Sequence, residues 1–203
     1  MYKRQLYEDQ IVAMIHSGSR GLGHQVCTDH VRQLEASYKQ QEGMWVNEKW
    51  GYALPDRQLA SAPVHSREGQ AYLDSMNAAA NFAFANRAVL AERLRTVLKL
   101  EMGVDGEATT LYDVAHNIAK METHVVHGKS CSCCVHRKGA TRAFAGDHAE
   151  VGAQFATTGQ PVIVPGDMGN GSWIMAGPTS GSNMAFGSSC HGAGRALSRS
   201  QAK

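Results

Sequence analysis

One stretch constrains the fold more than any other: residues 68–100 contain no proline, carry glycine only at Gly69 and are rich in alanine. Their apolar residues recur near helical spacing, at Ala71, Met76, Ala79, Phe82, Ala83 and Val89. Alanine has the highest helix propensity, and this spacing places apolar side chains on one face. The stretch therefore predicts one long helix, or two helices in series.

The residues before this stretch predict shorter elements. Residues 10–15 form an apolar run that ends at His16 and is followed by glycine, which indicates a buried strand leading into a loop. From Gly23 to about Gln41 the chain lacks proline and suits a second helix. Residues 45–63 combine aromatic residues, prolines and scattered charges, so they predict an irregular connection or an insertion.

The second half of the chain has a different character. Short runs that favour strands occur at residues 135–144, at Pro161–Val164 and at Trp173–Ala176, separated by glycine-rich turns. Helices early and short strands late predict an α+β fold. Because no repeat or clear boundary divides the sequence, we expect one domain over residues 1–203.

Composition excludes several classes of protein. With 203 residues, 43% hydrophobic and 19% charged, the chain is long enough to bury a substantial core. A net charge of +2 is too small to attract a polyanion by itself, so any contact with nucleic acid requires local basic clusters. The odd number of cysteines favours a reducing compartment, and the sequence has no signal peptide or apolar run of membrane-spanning length. We therefore expect a cytoplasmic protein without a membrane partner.

A loop rich in glycine begins at His16 and contains Arg20. Backbone N–H groups before a helix and the planar guanidinium both suit phosphate, so the loop is a candidate site for an anion or a metal. The spacing of its glycines differs from the dinucleotide-binding pattern. A plain strand-to-helix turn is the alternative.

Two further histidines stand in chemically suggestive surroundings. His116 precedes Asn117 and could be a metal ligand, although an isolated histidine is more often structural. His191 lies between Cys190 and Gly192 and is followed by two arginines, so a bulky anion could approach its ring. A neutral imidazole can attack an activated phosphorus atom, and Cys190 is the alternative nucleophile.

Three cysteines are crowded into Cys131, Cys133 and Cys134, followed by His136. They contain a single Cys-x-x-Cys pattern, so a structural zinc ion would need additional ligands from elsewhere in the chain. A cysteine cluster that faces a strand, without metal, is the alternative.

Five motifs of the chain, and their order along the sequence, resemble those of RtcB-type RNA ligases. The resemblance extends from about residue 10 to Arg199. The motifs are His-Ser-Gly-Ser-Arg-Gly-Leu-Gly from His16, Asp-Val-Ala-His-Asn ending at Asn117, Val-His-Arg-Lys-Gly-Ala-Thr-Arg ending at Arg142, Val-Pro-Gly-Asp-Met-Gly ending at Gly169 and Cys-His-Gly-Ala-Gly-Arg ending at Arg195. The resemblance implies an RtcB-like fold and an enzyme that depends on GTP and Mn²⁺, with two Mn²⁺ ions in the complete site. Such enzymes join RNA 3′-phosphate or 2′,3′-cyclic phosphate ends to 5′-hydroxyl ends through a histidine–GMP intermediate, in tRNA splicing or RNA repair, and archease is a candidate partner.

The resemblance also implies roles for individual residues. It makes His191 the nucleophile and assigns His16 and His116 as manganese ligands. The implied guanylate contacts are His116, Asn117, Pro165, Gly166, Asp167, Met168, Ser172, His191, Gly192, Ala193 and Gly194. The implied phosphate or RNA contacts are Arg20, Lys138, Arg195 and Arg199.

Other parts of the family's site have no counterpart in this sequence. These are an early metal-binding segment with an aspartate and a cysteine, a Gly-Asn-His-Phe motif, and a lysine near the C-terminus that contacts guanine. We therefore expect an incomplete catalytic domain that is inactive by itself. The alternatives are a non-catalytic nucleotide- or RNA-binding protein that retains the phosphate loops, and a metal-binding structural domain organised by the cysteines.

Overall fold

The computed structural model describes residues 6–103, 108–166, 169–181 and 185–192. The chain divides into two compact units. The first, here called the β unit, comprises Met1–Val12 and Leu111–Lys203, and the second, here called the helical unit, comprises Ala13–Thr110. Two α-helices and several small sheets make up the described part of the chain, which confirms the expected mixture of helix and strand.

The predicted long helix is a single helix, α2, which spans Arg67–Met102. Its first turn is capped by Ser66, whose Oγ accepts a hydrogen bond from the Gly69 N–H at 3.0 Å. It ends at Gly103, whose φ of +58° lies in the left-handed region that glycine adopts at low cost. The helix is thus delimited by local signals at both ends.

Helix α1 spans Arg20–Ala36 and packs against α2. A side chain at Gly23 would displace the Ser19 hydroxyl, because a Cβ there would lie 1.9 Å from Ser19 Oγ, and it would contact the Cβ of Ala79 on α2 at 3.7 Å. The predicted second helix is therefore confirmed, although it begins before Gly23 and ends before Gln41.

The helical unit also contains a small antiparallel sheet. Its strands are β1 (Lys39–Gln41), β2 (Met44–Asn47) and β3 (Tyr52–Leu54), paired in that order. Buried Asn47 fixes the sheet by donating from Nδ2 to the Ser37 carbonyl at 3.2 Å and to its Oγ at 2.9 Å. The prediction of an irregular connection over residues 45–63 was wrong for β2 and β3, since strands of three or four residues are too short to show an alternating pattern, whereas residues 60–63 do lack helix and strand.

The strand predicted at residues 10–15 is absent from the described structure. The segment has no regular secondary structure, and Ile11 and Val12 are 81% and 58% exposed. An apolar run becomes a strand only where a neighbouring strand supplies hydrogen bonds, and no described strand pairs with this one. The prediction was therefore wrong.

The β unit is built from antiparallel pairs. The hairpin of β4 (Asn117–Val126) and β5 (Lys129–Lys138) turns at His127 and Gly128, both with positive φ. Strand β6 (Ala140–Arg142) pairs with β9 (Ser188–Cys190), and β7 (Pro161–Val164) pairs with β8 (Trp173–Ala176). The strands expected near residues 135–144, 161–164 and 173–176 are confirmed, whereas β4 was not predicted.

Aromatic and polar side chains share the core of the β unit. Val162, Phe144 and Phe155 are almost fully buried. Between them, the buried side chain of Gln160 accepts from the Phe144 N–H at 3.0 Å and donates to the Tyr112 hydroxyl at 2.6 Å. Burial raises the pKa of Tyr112, so the phenol stays protonated in this setting.

Neither described helix is long and apolar enough to cross a bilayer.

Candidate functional site

Two of the histidines singled out by the sequence meet in the β unit. His116 lies immediately before β4 and His191 immediately after β9. Both are bonded to the backbone of Gly139, which joins β5 to β6. The His116 carbonyl accepts from the Gly139 N–H at 2.9 Å, and the His191 N–H donates to the Gly139 carbonyl at 3.1 Å. One residue thus fixes the backbone of both histidines.

The rings of His116 and His191 are stacked face to face. Their centroids are 3.6 Å apart, the planes differ by 6°, and their ring nitrogens lie within 4.8 Å of one another. Stacking covers one face of each ring, whereas the nitrogen atoms lie at the ring edges and direct their bonds within the ring plane. The pair can therefore offer imidazole nitrogens to a metal ion or to an electrophile.

Asn117 and Lys138 are the neighbours of Gly139 beside the two histidines. Asn117 Oδ1 accepts a second hydrogen bond from the Gly139 N–H at 3.1 Å, and Asn117 is paired with Lys138 across the hairpin. Gly139 has a φ of +63°, a conformation that glycine adopts without strain. Both side chains are exposed, so they can contact a ligand beside the stacked rings.

A second loop approaches His191 from the β7–β8 hairpin. A Cβ at Gly192 would lie 3.6 Å from the Pro165 carbonyl oxygen, so the two backbones are close neighbours. Gly166 donates its N–H to Ser172 Oγ at 3.0 Å, and a Cβ on Gly166 would lie 2.0 Å from the Asn170 carbonyl oxygen. Only glycine fits this turn. The described guanylate candidates of the β unit are therefore linked by contacts or near contacts.

Sequence reasoning missed two buried charges on the β4–β5 hairpin. Arg137 on β5 and Glu122 on β4 form an ion pair in which both side chains are only 2% exposed. Burial alone would raise the pKa of Glu122, but hydrogen bonds from Arg137 and His124 outweigh it and hold this pKa below its ordinary value. Arg137 belongs to one of the five motifs, yet the sequence does not indicate its partner, which lies on another strand.

His16 and Arg20 belong to the helical unit. Both are exposed, and Arg20 begins α1 with a φ of +52°. The loop after His16 is held from α2, because Asn86 Nδ2 donates to Ser17 Oγ at 3.0 Å and to the Gly18 carbonyl at 2.9 Å. Asn86 could not be identified from the sequence, because it is an ordinary polar residue within a helical pattern.

Six of the predicted contacts lie outside the described residues. They are Asp167, Met168, Ala193, Gly194, Arg195 and Arg199.

The cysteine cluster lies on β5. Cys131, Cys133 and Cys134 are free thiols, and Cys134 Sγ lies 3.6 Å from His136 Nε2. Within residues 6–103, 108–166, 169–181 and 185–192, no group of three or more His, Cys, Asp or Glu side chains suited to a metal includes any of these cysteines. The geometry of the described residues therefore gives no support to a zinc site there.

Comparison with known proteins identifies the family to which this chain is similar. The sequence model of the family described as tRNA-splicing ligase RtcB matches residues 2–203. The chain is 53% identical over 197 residues to the RNA-splicing ligase RtcB of Mycobacterium tuberculosis, covering 97% of this chain and 43% of that protein. It is 50% identical over 198 residues to the tRNA-splicing ligase RtcB of Methanococcus maripaludis, covering 96% of this chain and 39% of that protein. It is 49% identical over 201 residues to the tRNA-splicing ligase RtcB of Thermococcus kodakarensis, covering 97% of this chain and 40% of that protein.

The chain thus spans about two fifths of the length of these curated relatives. The match extends over nearly all of the sequence and includes both stacked histidines and the loops around them. This chain belongs to the RtcB family of RNA ligases.

Proposed function

We propose that the protein carrying this chain is an RNA ligase that joins 3′-phosphate or 2′,3′-cyclic phosphate ends to 5′-hydroxyl ends, using GTP and Mn²⁺, in tRNA splicing or RNA repair. The observation that carries the proposal is the His116–His191 stack, because it presents imidazole nitrogens beside two loops with exposed backbone and glycine. The names of the relatives give the reaction class, and the stack gives it a chemical centre.

His191 is the nucleophile in this proposal. One ring nitrogen forms a bond to the α-phosphorus of GTP as the bond from that phosphorus to pyrophosphate breaks, which leaves GMP on the imidazole. His116 holds the ring of His191 by stacking, and the His191 N–H bond to Gly139 fixes its backbone. Orientation of this kind lowers the entropic part of the barrier.

The second and third steps transfer this GMP. An oxygen of the RNA 3′-phosphate attacks the phosphorus and the imidazole leaves. The 5′-hydroxyl then attacks the activated 3′-phosphate, loses its proton and releases GMP, which completes the phosphodiester. A cyclic phosphate is first opened by water. Lys138, which is exposed and paired with Asn117 across the hairpin, is proposed to offset phosphate charge.

The loops around the stack suit the nucleotide. Gly192, next to His191, lies close to the Pro165 carbonyl, and the following Gly166 donates its N–H to Ser172 Oγ at 3.0 Å. We propose these residues, with Asn117, as guanylate contacts. Asp167, Met168, Ala193 and Gly194 complete the set in the proposal, and Arg195 and Arg199 are proposed as phosphate contacts. Arg20 is proposed to contact phosphate from the loop that begins α1.

The residues present fit manganese in part. The His116 ring offers a nitrogen donor of the type that divalent transition metals prefer, and His16 joins it in the proposal on the strength of the family resemblance. When bound, the metal supplies positive charge that offsets the triphosphate. Two histidines do not fill a coordination shell, so further ligands from the rest of the protein belong to the proposal.

The test is RNA sealing by the protein that carries this chain. RNA with a 3′-phosphate and a 5′-hydroxyl should be joined only with GTP and Mn²⁺, and His116→Ala should reduce sealing by at least about a hundredfold. His65→Ala is the control, because this histidine has no role in the proposal. The isolated 203-residue chain should not seal RNA. Sealing without GTP, or efficient sealing by the chain alone, would contradict the proposal.

A further inference from the structure

The buried Arg137–Glu122 pair lies at the start of the segment that carries His191. Two parallel hydrogen bonds join the charges, from Nη1 to Glu122 Oε1 at 2.7 Å and from Nη2 to Glu122 Oε2 at 2.9 Å. His124 Nε2 lies 2.9 Å from the same Oε2. The carboxylate thus holds the guanidinium plane in one orientation.

The same guanidinium also donates hydrogen bonds to two residues at and just before the start of β9. Arg137 Nε donates to Ser188 Oγ at 2.9 Å, and Nη2 donates to the Phe186 carbonyl at 2.9 Å. Four hydrogen bonds therefore use most of the donors of one arginine side chain. Residues far apart in sequence, on β4, β5 and β9, are joined through a single planar group.

In the described structure, the segment before His191 is also bonded at Gly187, whose carbonyl accepts a hydrogen bond from the Ala143 N–H at 2.6 Å, and it forms one short strand pairing. Strand β9 pairs with β6 alone, and only over Ser188–Cys190. His191 follows at once, and its N–H bonds to Gly139, two residues after Arg137 on the same chain segment. Arg137 thus fixes the upstream end of the segment, and Gly139 fixes the downstream end.

A purely stabilising role does not explain why these charges are buried. Removing two charges from water costs about as much as their attraction returns, so buried ion pairs often add little net stability. What the pair provides is direction, because the fork of an arginine fixes two acceptors at defined angles and a lysine cannot.

We propose that Arg137, oriented by Glu122, is a positioning residue that sets the His191 ring against His116 by holding Phe186 and Ser188. The inference rests on the proposed function, since it gives His191 its reactive orientation. It adds a buried residue pair that acts on His191 through Phe186 and Ser188.

The first arm of the test needs no activity. In the 203-residue chain, stacking at 3.6 Å should shift the ring-proton NMR signals of His191 upfield through the ring current of His116. Arg137→Lys keeps the charge but loses the fork, and Ser188→Ala removes one acceptor only. Both variants should lose most of the upfield shift, and Ser188→Ala decides the matter if Arg137→Lys does not fold.

The second arm measures the covalent step in the protein that carries this chain. Arg137→Lys and Ser188→Ala should slow the formation of the guanylate adduct on His191 by at least about tenfold, while the apparent KM for GTP changes by less than about twofold. A merely structural loss would instead lower the amount of folded, labelled protein without changing the rate.

Arg95→Lys is the matched control. Arg95 also bonds a carboxylate, a backbone carbonyl and a hydroxyl, those of Glu92, Ala108 and Thr110, but it lies in the helical unit. It should leave the ring shift and the covalent rate unchanged. If Arg137→Lys and Ser188→Ala keep both the ring shift and the rate, the proposal is wrong. If the unaltered protein forms no guanylate adduct, the proposed function fails, and the ring shift still decides whether Arg137 positions His191.

Discussion

Two histidine-bearing segments of the molecule are anchored in different ways. The segment leading to His191 is held by Arg137, which is buried and paired with a buried carboxylate. The segment following His16 is held from α2 by Asn86, a half-buried neutral amide, and by Arg87, whose Nη1 donates to the Ser17 carbonyl at 3.2 Å. The covalent chemistry is proposed for the first segment, where a buried carboxylate orients the anchoring arginine, whereas a neutral amide and Arg87 together anchor the second.

The largest expected effect is on the buried anchor. Glu122→Leu should lower the free energy of unfolding by about 3–5 kcal/mol, because it leaves the Arg137 charge buried without its carboxylate. Urea unfolding of the 203-residue chain, followed by circular dichroism, measures this directly. Glu150→Leu is the control, since Glu150 pairs with Arg142 but is 53% exposed, and its loss should cost less than about 1 kcal/mol. Equal losses in the two variants would remove the distinction between buried and exposed pairs.

Loss of the Asn86 side chain should cost less stability than loss of the Glu122 carboxylate. Asn86→Ala removes two hydrogen bonds to Ser17 and Gly18 and should lower the free energy of unfolding by about 1–2 kcal/mol. Amide hydrogen exchange should rise at Ser17 and Gly18 while the His191 segment stays protected. Asn77→Ala, an exposed position on the same helix, is the control. Faster exchange at His191 would show that the two anchors are not independent.

The helical unit shows how far sequence reasoning reaches. The long helix could be predicted because its signals are local: alanine content, spacing, a serine cap at Ser66 and glycine at Gly103. The three short strands β1 to β3 could not, since each has only three or four residues. The strand predicted at residues 10–15 was wrong for a different reason. The apolar pattern is local, but a strand forms only where a neighbouring strand supplies hydrogen bonds.

The site shows the same limit. His116, His191 and the glycine loops could be identified from motifs, and the structure brings the described members in the β unit together. Their stacking could not be predicted, because it depends on pairing between β6 and β9. The Arg137–Glu122 pair escaped notice as well, since two charges on a half-polar hairpin indicate a solvated surface until their burial is known.

The smallest expected effect is a pH dependence confined to the buried anchor. The pKa of Glu122 lies below its ordinary value of 4.5 in the folded chain. Its ionised form therefore contributes stability that is fully present above the unfolded pKa and is lost as the pH falls through the folded pKa. The difference in unfolding free energy between the unaltered chain and Glu122→Gln should be constant near neutrality and shrink below about pH 4.5. A difference that grows on acidification would have the wrong sign for this account.

The central claim is that His191 carries the guanylate, and one labelling measurement tests it most directly. The protein that carries this chain is incubated with Mn²⁺ and GTP labelled at the α-phosphate, and the covalent adduct is treated with acid and with hydroxylamine. The account predicts an acid-labile phosphoramidate that is absent from His191→Ala and largely retained in Cys190→Ala, because an imidazole nitrogen and not a thiolate makes the bond. Label that persists on His191→Ala, or that disappears with Cys190→Ala and survives acid, would contradict it.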